Sequence, residues 1–398
     1  MTTFRRLEDA DVNGKRVLVR VDFNAPLGDD HKVSDDTRLK AALPTINTLR
    51  ERGAKVILAA HFGRPKGQPN PEMSLKYVVG DLAALLGAPV AFAQDCIGPQ
   101  AEEEIAKLAP GDVLLLENTR FHAGEEKNDP AFDDALAALA DVYVNDAFSA
   151  AHRAHGSTEG VARRLPAYAG LAMERELDHL NQALGDPVRP VVAVVGGAKV
   201  SSKIAVLKNL AGKVDYLVIG GAMANTFLAA RGVDVGKSLV EMDQRETALD
   251  IEAAAEAAGC KLILPVDVVT AKEFKAGAAH AQKPAGDVGP DEMILDVGSM
   301  TVDLAAEAIN DAKTVVWNGP LGAFEIPPFD TSTVELAKFA ANQTKTAGLI
   351  SVAGGGDTVA ALNHAGVAED FTFVSTAGGA FLEWMEGREL PGVEALKV

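Results

Sequence analysis

The sequence has very little cysteine and few aromatic residues. Cys96 and Cys260 are the only cysteines among 398 residues, and they lie far apart with no CxxC spacing. This pattern argues against a disulfide framework and favours a reducing compartment. Aromatic residues make up 5% of the chain and hydrophobic residues make up 47%. A large core must therefore be built mainly from alanine, valine, leucine and isoleucine.

The sequence also lacks an excess of positive charge and long apolar runs. The formal net charge is −18, which argues against nucleic acid or an anionic membrane surface as a partner. No stretch approaches the ~18 consecutive apolar residues of a membrane-spanning helix, and the first residues show no apolar signal region. We therefore expect a cytoplasmic protein that binds neither nucleic acid nor membrane. Nothing suggests an exposed apolar helix face, so we also expect a monomer.

Short runs of valine, isoleucine and leucine alternate with alanine-rich helical runs. Strands are predicted at residues 16–21, 55–60, 89–93, 113–116, 142–144, 191–195, 216–219, 262–264, 293–295, 314–317, 349–353 and 371–374. Helices are predicted at residues 37–52, 75–86, 100–108, 131–140, 200–210, 223–231, 245–258, 305–311, 334–342 and 358–364. Buried strands that alternate with helices predict an α/β fold with parallel sheets covered on both faces. About a dozen strands exceed one open sheet, so we expect two sheets in two domains.

Residues 171–184 have apolar residues at helical spacing, and a turn at 185–187 follows them. We interpret residues 171–185 as a helix that links the two domains. The domains are then predicted at residues 1–170 and 186–384.

A glycine cluster stands between a predicted strand and a predicted helix near the C-terminus. Gly354, Gly355 and Gly356 follow the strand, and Asp357 and Thr358 open the helix. Glycines let the backbone approach a ligand closely, and a helix N-terminus favours an anion. Asp357 is predicted to cap the helix and could also hold a cation. The pattern indicates either a phosphate and Mg²⁺ site or an ordinary capped turn.

Charged residues follow several predicted strands of the first half. In open α/β sheets, ligands bind at the carboxyl ends of the strands. Each residue alone is typical of a loop, but together they predict an anion site, because the planar guanidinium suits phosphate and carboxylate groups. The residues are Arg38, His61, Arg64, Arg120 and Arg153. Asp22 and Asn24 after the first strand suit either a hydroxylated ligand or an ordinary Asx turn. A metal site at the HRAH run (residues 152–155) is disfavoured, because no paired carboxylate or cysteine lies nearby.

The second half offers lysines and further glycine turns. Lys199 and Lys203 are four residues apart, which predicts one helix face near an N-terminus, where two positive charges favour a bound anion. Glu325 follows a turn that starts at Trp317 and could accept the hydroxyls of a ribose. Residues 232–238 resemble a Walker A loop but have one residue too few and follow a helix, so we reject that motif. No GxGxxG follows the first strand of either half, which argues against a dinucleotide oxidoreductase.

These stretches together resemble the phosphoglycerate kinase family over essentially the whole chain. The motifs that carry the resemblance are RVDFNAP (20–26), HFGRP (61–65), ENTRFH (117–122), AHRAH (151–155), GGAKV (196–200) with Lys203, WNGPLGAFE (317–325), GGGDT (354–358) and STAGGA (375–380). One such motif is weak evidence, but this many in order are specific. Departures are few: Ala222 replaces a third glycine of one turn, and Ile294 replaces a glycine, which leaves that nucleotide contact open.

The resemblance implies two Rossmann-like three-layer domains with parallel sheets, joined by a helix and a hinge. The N-terminal domain would bind 3-phosphoglycerate and take back a C-terminal segment of about 385–398, and the C-terminal domain would bind nucleotide. The implied reaction of glycolysis and gluconeogenesis is reversible transfer between ATP, with Mg²⁺, and 3-phospho-D-glycerate, giving 1,3-bisphosphoglycerate and ADP. Transfer would be in line, in an interdomain cleft closed by movement about the linker helix.

The resemblance also implies roles for individual residues. The residues implied to bind 3-phosphoglycerate are Asp22, Phe23, Asn24, Arg38, His61, Phe62, Gly63, Arg64, Arg120 and Arg153. Those implied to bind nucleotide are Gly197, Lys203, Gly221, Asn318, Pro320, Glu325, Gly354, Gly355, Gly356, Asp357 and Thr358, with Asp357 on the metal ion. The catalytic group would be Arg38, Lys199, Lys203, Gly378 and Gly379.

The substrate carboxylate is ionised at pH 7 and needs no general base. This agrees with a sequence in which we find no nucleophile–base set. Two alternatives stay open at this point. One is a non-catalytic nucleotide-binding protein on the same scaffold, and the other is an NAD-dependent dehydrogenase.

Overall fold

A computed structural model describes residues 3–398. The chain divides into two compact units, residues 3–177 with 389–398 and residues 178–388. Each unit contains one large sheet with helices on it, as the α/β prediction requires. No helix within residues 3–398 is long and apolar enough to cross a membrane.

The first unit contains a six-stranded parallel sheet. Its strands are β1 (Arg16–Arg20), β2 (Lys55–Ala59), β3 (Val90–Ala93), β4 (Val113–Leu116), β5 (Val142–Asn145) and β6 (Ala167–Ala169). Their order across the sheet is β3-β4-β2-β1-β5-β6. Arg20 lies opposite Ala59 on one side and Asn145 on the other. The polar residues that follow these central strands are thereby gathered at one edge of the sheet.

Five helices of the first unit lie between β1 and β5 in the chain. They are α1 (Thr37–Glu51), α2 (Val79–Leu86), α3 (Pro99–Ala106), α4 (Ala123–Lys127) and α5 (Pro130–Ala137), with a 3-10 turn at Leu75–Val78 before α2 and another at Thr119–Phe121. On α1, the side chains of Leu39, Ile46 and Leu49 are fully buried. Each such side chain contributes roughly 1.5–3 kcal/mol when it leaves water. This face positions the N-terminus of α1, where Arg38 lies.

Helix α6 (Leu171–Leu180) contains the boundary between the two units. The α-helical part of the predicted linker helix is shorter than expected, because Asn181–Gly185 forms a π-helical turn. Its start is held by Asp146, whose Oδ1 accepts the N–H groups of Ala172 (2.9 Å) and Met173 (3.3 Å). Asp146 therefore satisfies free donors of the first helical turn from a distant strand end.

The second unit contains a second six-stranded parallel sheet and a small antiparallel one. Strands β7 (Val191–Val195), β8 (Tyr216–Ile219), β9 (Lys261–Ile263), β13 (Thr314–Asn318), β14 (Ile350–Gly354) and β15 (Phe373–Ser375) form the parallel sheet in the order β15-β14-β13-β7-β8-β9. The small sheet consists of β10 (Asp267–Ala271), β11 (His280–Pro284) and β12 (Met293–Val297) in the order β11-β10-β12. Helices of this unit are α7 (Ile204–Ala211), α8 (Ala222–Ala230), α9 (Arg245–Ala257), α10 (Ser299–Asp311), α11 (Thr331–Ala347), α12 (Gly356–His364) and α13 (Gly379–Met385).

The two predicted parallel sheets are both present, and the third, small antiparallel sheet was not predicted. The strand predicted at 293–295 exists, but it pairs antiparallel with β10 and does not join the parallel sheet. Strands β6, β10 and β11 were not predicted. β11 reads HAQKP and is almost entirely exposed, so it has no apolar pattern, as expected of a polar edge strand.

The last ten residues belong to the first unit. They contain the short helix α14 (Pro391–Glu394). Gly392 N–H donates to the Ala151 carbonyl (2.8 Å), and Arg5 N–H donates to the Leu396 carbonyl (3.0 Å). These backbone bonds attach the C-terminal segment to the loop after β5 and to the residues that precede β1.

Candidate active site

Arg38 forms an ion pair with Asp22, which follows β1. Arg38 Nη1 donates to both Asp22 carboxylate oxygens, at 2.8 and 2.7 Å, and Ser149 Oγ donates to Asp22 Oδ2 at 2.6 Å. The Arg38 side chain is 43% exposed and the Asp22 side chain 18%. Asp22 thus holds the guanidinium at the sheet edge while leaving much of it accessible to an anion.

A second set of contacts ties together the loops after β1, β2 and β4. Asn24 Oδ1 accepts the Gly63 N–H at 2.9 Å, and Arg120 Nη1 donates to the Gly63 carbonyl at 3.0 Å. Asn118 bonds the backbone of Phe62 through both ends of its amide, at 3.1 and 2.7 Å. Three predicted substrate residues, Asn24, Gly63 and Arg120, are therefore joined through one short loop.

His61 lies beside the buried side chain of Arg20, for which the sequence predicted no role. Arg20 is 1% exposed, and its Nη2 lies 3.0 Å from His61 Nδ1. Burial, together with the charges of Arg20 and Arg120, lowers the pKa of His61 well below its usual range. His61 is therefore neutral at pH 7, and its Nδ1 can accept from Arg20. The sequence did hold one indication of a role for Arg20. It stands in the apolar run RVLVR, and a charged side chain buried in a strand needs polar partners.

Arg20 is connected to a buried carboxylate through a serine. Its Nε donates to Ser157 Oγ (2.8 Å), which donates in turn to Glu125 Oε1 (2.5 Å). Glu125 also accepts the Ser157 N–H (2.8 Å) and the Thr119 hydroxyl (3.2 Å), and it is fully buried. This buried network holds Arg20 in position beside His61.

We expect Glu125→Gln to destabilise the chain by about 2–4 kcal/mol. The substitution leaves the buried Arg20 charge without a compensating negative charge and weakens charge-assisted hydrogen bonds. Urea unfolding followed by circular dichroism measures this loss. The matched control is Glu102→Gln, because Glu102 is exposed on α3 and its replacement should change stability by less than ~0.5 kcal/mol. Equal unfolding midpoints for the two variants would contradict the role of Glu125.

The cationic groups of the first unit influence one another. His155 is 9% exposed, and burial with the nearby charges of Arg120, Arg20 and Arg153 lowers its pKa to about 4. Burial is the larger cause, and the three guanidinium groups act in the same direction. A local positive field therefore exists in a chain whose formal net charge is −18.

The remaining predicted substrate residues occupy different environments. Arg64 and Arg153 are exposed, and Arg153 Nε donates to His152 Nε2 (3.2 Å). Phe62 is half-buried and packs against the core of the first unit. The side chain of Phe23 is fully buried in that core, so only its backbone can reach a ligand.

In the second unit, Lys203 is anchored at the end of β13. Its Nζ donates to Asn318 Oδ1, and Asn318 Nδ2 donates to the Gly354 carbonyl at 2.7 Å. Burial lowers the pKa of Lys203, while the carboxylates of Asp357 and Glu386 act in the opposite direction. The ammonium group thus lies in a partly desolvated position near the start of α12, where its charge acts strongly.

Close backbone crossings explain two of the glycine turns. A Cβ on Gly319 would lie 2.1 Å from the Gly196 carbonyl oxygen, and φ at Gly319 is +102°. A Cβ on Gly221 would lie 2.6 Å from the Gly197 oxygen. Pro320, whose side chain is buried, belongs to the same crossing, because a Cβ on Gly196 would meet its carbonyl oxygen. Glycine is required wherever the loops after β7, β8 and β13 touch.

The predicted capping role of Asp357 was wrong. Gly355 is the N-cap of α12, with φ +98°, and Asp357 lies exposed in the first helical turn. Thr358 Oγ1 accepts the Gly319 N–H at 2.7 Å, which attaches this turn to the loop after β13. A Cβ on Gly356 would meet open space, so the first turn of α12 is accessible. Asp357 offers a carboxylate oxygen, the ligand type that Mg²⁺ prefers, and it fits that ion.

The two lysines do not share a helix face as predicted. Lys199 precedes a 3-10 turn at Val200–Ser202, and α7 begins only after Lys203. The helix is interrupted because Lys203 itself has φ −126° and ψ 5°. Lys199 is exposed, so the two side chains have different surroundings.

Other predicted residues of this unit lie at loop and helix ends. Glu325 is exposed in the turn region after β13. Gly378 is the N-cap of α13 with φ +54°, and Gly379 begins that helix. A Cβ on Gly378 would meet nothing within 4 Å. The Cα of Gly378 therefore borders open space at the start of α13.

Comparisons with known proteins agree on one family. A model of the phosphoglycerate kinase family matches residues 7–388. Curated proteins named phosphoglycerate kinase include one from Zymomonas mobilis, 65% identical over 99% of both chains, and one from Sphingopyxis alaskensis, 64% identical over 100% of both. The solved structure of phosphoglycerate kinase from Coxiella burnetii is 40% identical, covers 99% of both chains and has a TM-score of 0.93. That from Pyrococcus horikoshii is 34% identical over 98% of both chains, with a TM-score of 0.78. With matches of this identity along nearly its whole length, the chain belongs to the phosphoglycerate kinase family.

Proposed function

We propose that the two residue groups described above carry out the two halves of the reaction of this family. The chain is an enzyme, a phosphotransferase that acts between ATP and 3-phosphoglycerate. The reaction moves the γ-phosphoryl group of ATP to the carboxylate of 3-phospho-D-glycerate and gives 1,3-bisphosphoglycerate and ADP. The observation that supports the division of roles is the cationic group of the first unit, whose charges add to burial in lowering the pKa values of His61 and His155.

The first unit binds 3-phosphoglycerate in this proposal. The guanidinium groups of Arg38, Arg64, Arg120 and Arg153 bind its phosphate and carboxylate oxygens, since a planar fork matches two oxygens at once. Asp22 and Asn24 accept or donate at the hydroxyl group, which is the one polar group of the substrate without charge. Neutral His61 donates a hydrogen bond through Nε2, because its Nδ1 faces Arg20 at 3.0 Å.

The second unit binds the nucleotide. The start of α12 presents free N–H groups and a positive dipole end to the phosphates, and Lys203 adds a full charge beside it. Exposed Glu325 accepts the ribose hydroxyls. Asp357 would hold the Mg²⁺ ion that accompanies ATP, which neutralises phosphate charge when bound.

The chemistry requires positioning and charge neutralisation. A carboxylate oxygen of the substrate forms a bond to the γ-phosphorus while the bond from that phosphorus to the β,γ-bridging oxygen breaks. The electron pair of the broken bond stays on ADP, and no proton must be removed from the nucleophile. Arg38, Lys199, Lys203 and the amides of Gly378 and Gly379 stabilise the equatorial oxygens of the phosphoryl group during transfer.

The experiment that tests this function is trapping of the acyl phosphate with hydroxylamine. The full chain is incubated with ATP, Mg²⁺ and 3-phosphoglycerate, and hydroxamate is measured. We expect product only when ATP and 3-phosphoglycerate are both present. No product from a chain that still binds ATP would favour the alternative, a non-catalytic nucleotide-binding protein. Sedimentation under the assay conditions tests the further proposal that the enzyme is a monomer.

A further inference from the structure

Three potential metal ligands meet in the first unit outside the residues assigned above. They are Asp95, Cys96 and His122, and one ligand atom from each lies within 4.8 Å of the others. His122 Nε2 is 2.6 Å from Asp95 Oδ1. Within residues 3–398 this is the one such group of at least three histidine, cysteine or acidic side chains.

Sheet topology brings these residues together. Asp95 and Cys96 follow β3, and His122 follows the turn after β4. β3 and β4 are parallel neighbours, with Ala93 opposite Leu116. No spacing in the sequence reveals the group, because its two parts belong to different strand ends.

We propose that Cys96 Sγ, His122 Nε2 and a carboxylate oxygen of Asp95 bind a divalent ion of the Zn²⁺ class. Thiolate, imidazole and carboxylate are the ligands of zinc, whereas Mg²⁺ and Ca²⁺ prefer oxygen alone. Three protein ligands leave a fourth tetrahedral position for water. The site is therefore distinct in ligand type from Asp357, and its existence does not depend on the phosphoryl-transfer function.

The burial of the three side chains suits entry of an ion from solvent. Cys96 is fully buried, whereas the side chains of His122 and Asp95 are 33% and 38% exposed. The thiol therefore forms the floor of the site and the other two groups form its rim. The two rim ligands move apart when an ion takes the place of their hydrogen bond.

Neighbouring groups favour a cation at this position. The carboxylates of Asp95, Glu125 and Glu117 add negative charge around Cys96. Glu117 is engaged by Ser74 Oγ at 2.6 Å and Leu75 N–H at 2.8 Å, so it adds negative potential without being a ligand. An ion that binds displaces the thiol proton to solvent and forms the metal–sulfur bond in its place.

Existing contacts also orient the ligands. Asp95 Oδ1 accepts the Cys96 N–H at 2.7 Å, which leaves Oδ2 available to an ion. The His122 ring packs against Phe132, with centroids 5.7 Å apart. Coordination through Nε2 requires the tautomer with the proton on Nδ1. Groups that hold ligands in this way strengthen metal affinity.

The test is titration of the full chain with Co²⁺, without nucleotide, followed by optical absorption. We expect a thiolate-to-cobalt charge-transfer band and tetrahedral d–d bands, both removed by competing Zn²⁺. Cys96→Ser should abolish the charge-transfer band. The control Cys260→Ser removes the other cysteine and should leave the band unchanged.

Because Cys96 is buried and its replacement can harm folding, two rim variants provide a separate measurement. His122→Gln and Asp95→Asn change partly exposed side chains, and each should weaken Co²⁺ binding at least roughly tenfold, with circular dichroism unchanged. The proposal is overturned if the wild type shows no charge-transfer band. It is equally overturned if the band is lost in Cys260→Ser, or if both rim variants bind as tightly as the wild type.

Discussion

Arg38→Ala should lower kcat for acyl-phosphate formation by about 10³-fold or more. Arg38 is the arginine of the first unit that we place on the transferring phosphoryl group, and an arginine at such a position contributes on this scale. Its side chain is 43% exposed although Nη1 is bonded to Asp22. A substrate anion can therefore reach the guanidinium without dismantling a buried network. Hydroxamate formation at saturating substrates measures the change.

Two further variants sharpen this result. Arg38→Lys keeps the charge but loses the planar fork, so it should restore little of the activity. Lys40→Ala is the matched control, because Lys40 lies on the same helix, is exposed, and pairs with Asp36 at 2.9 Å. Full activity in Arg38→Ala would remove Arg38 from the catalytic group while leaving the function of the chain in place.

Lys203→Met should lower kcat by roughly 10²–10³-fold, with a smaller effect on ATP binding. Loss of one charged donor aimed at developing charge has this magnitude. The partial burial of Lys203 and its bond to Asn318 keep the ammonium in place and strengthen its field. Methionine preserves most of the side-chain volume, so the fold should remain. Rapid-quench measurement of the transfer step separates chemistry from product release.

The control for this variant lies on the same helix. Lys208 is exposed on α7, and Lys208→Met should leave kcat within about twofold of the wild type, as expected for a surface change. An equal loss in both variants would indicate a general effect of reduced positive charge. Unchanged kcat in Lys203→Met would place Lys203 outside the reacting centre.

Local sequence patterns were sufficient for most of the secondary structure. Strands β1, β2, β4 and β7 begin where they were predicted and end within one residue of the predicted position, because fully buried parallel strands are compact apolar runs. A helix lies in each predicted region, because apolar residues repeated at helical spacing indicate a buried helix face. Exposed β11 and three-residue β6 have no such pattern, and they were missed.

Local sequence patterns did not predict the details of the glycine-rich turn. Asp357 is a favourable capping residue by type, yet Gly355 takes that position. Asn318 bonds the Gly354 carbonyl and Thr358 accepts the Gly319 N–H, so the loop after β13 determines where α12 begins. Similarly, the spacing of Lys199 and Lys203 predicts one helix face, and the break at Lys203 separates them.

The sequence alone determined the α/β class, the chemical types of the residues that we propose bind anions, and the family that their order resembles. Tertiary structure decided which of these residues meet. The pairing of Arg20 with His61, the link from Arg20 through Ser157 to Glu125, and the grouping of Cys96 with His122 all depend on which strands are neighbours. Apolar periodicity reports only that a strand is buried. Neighbouring order is set by contacts between residues far apart in sequence, such as those that place β1 between β2 and β5.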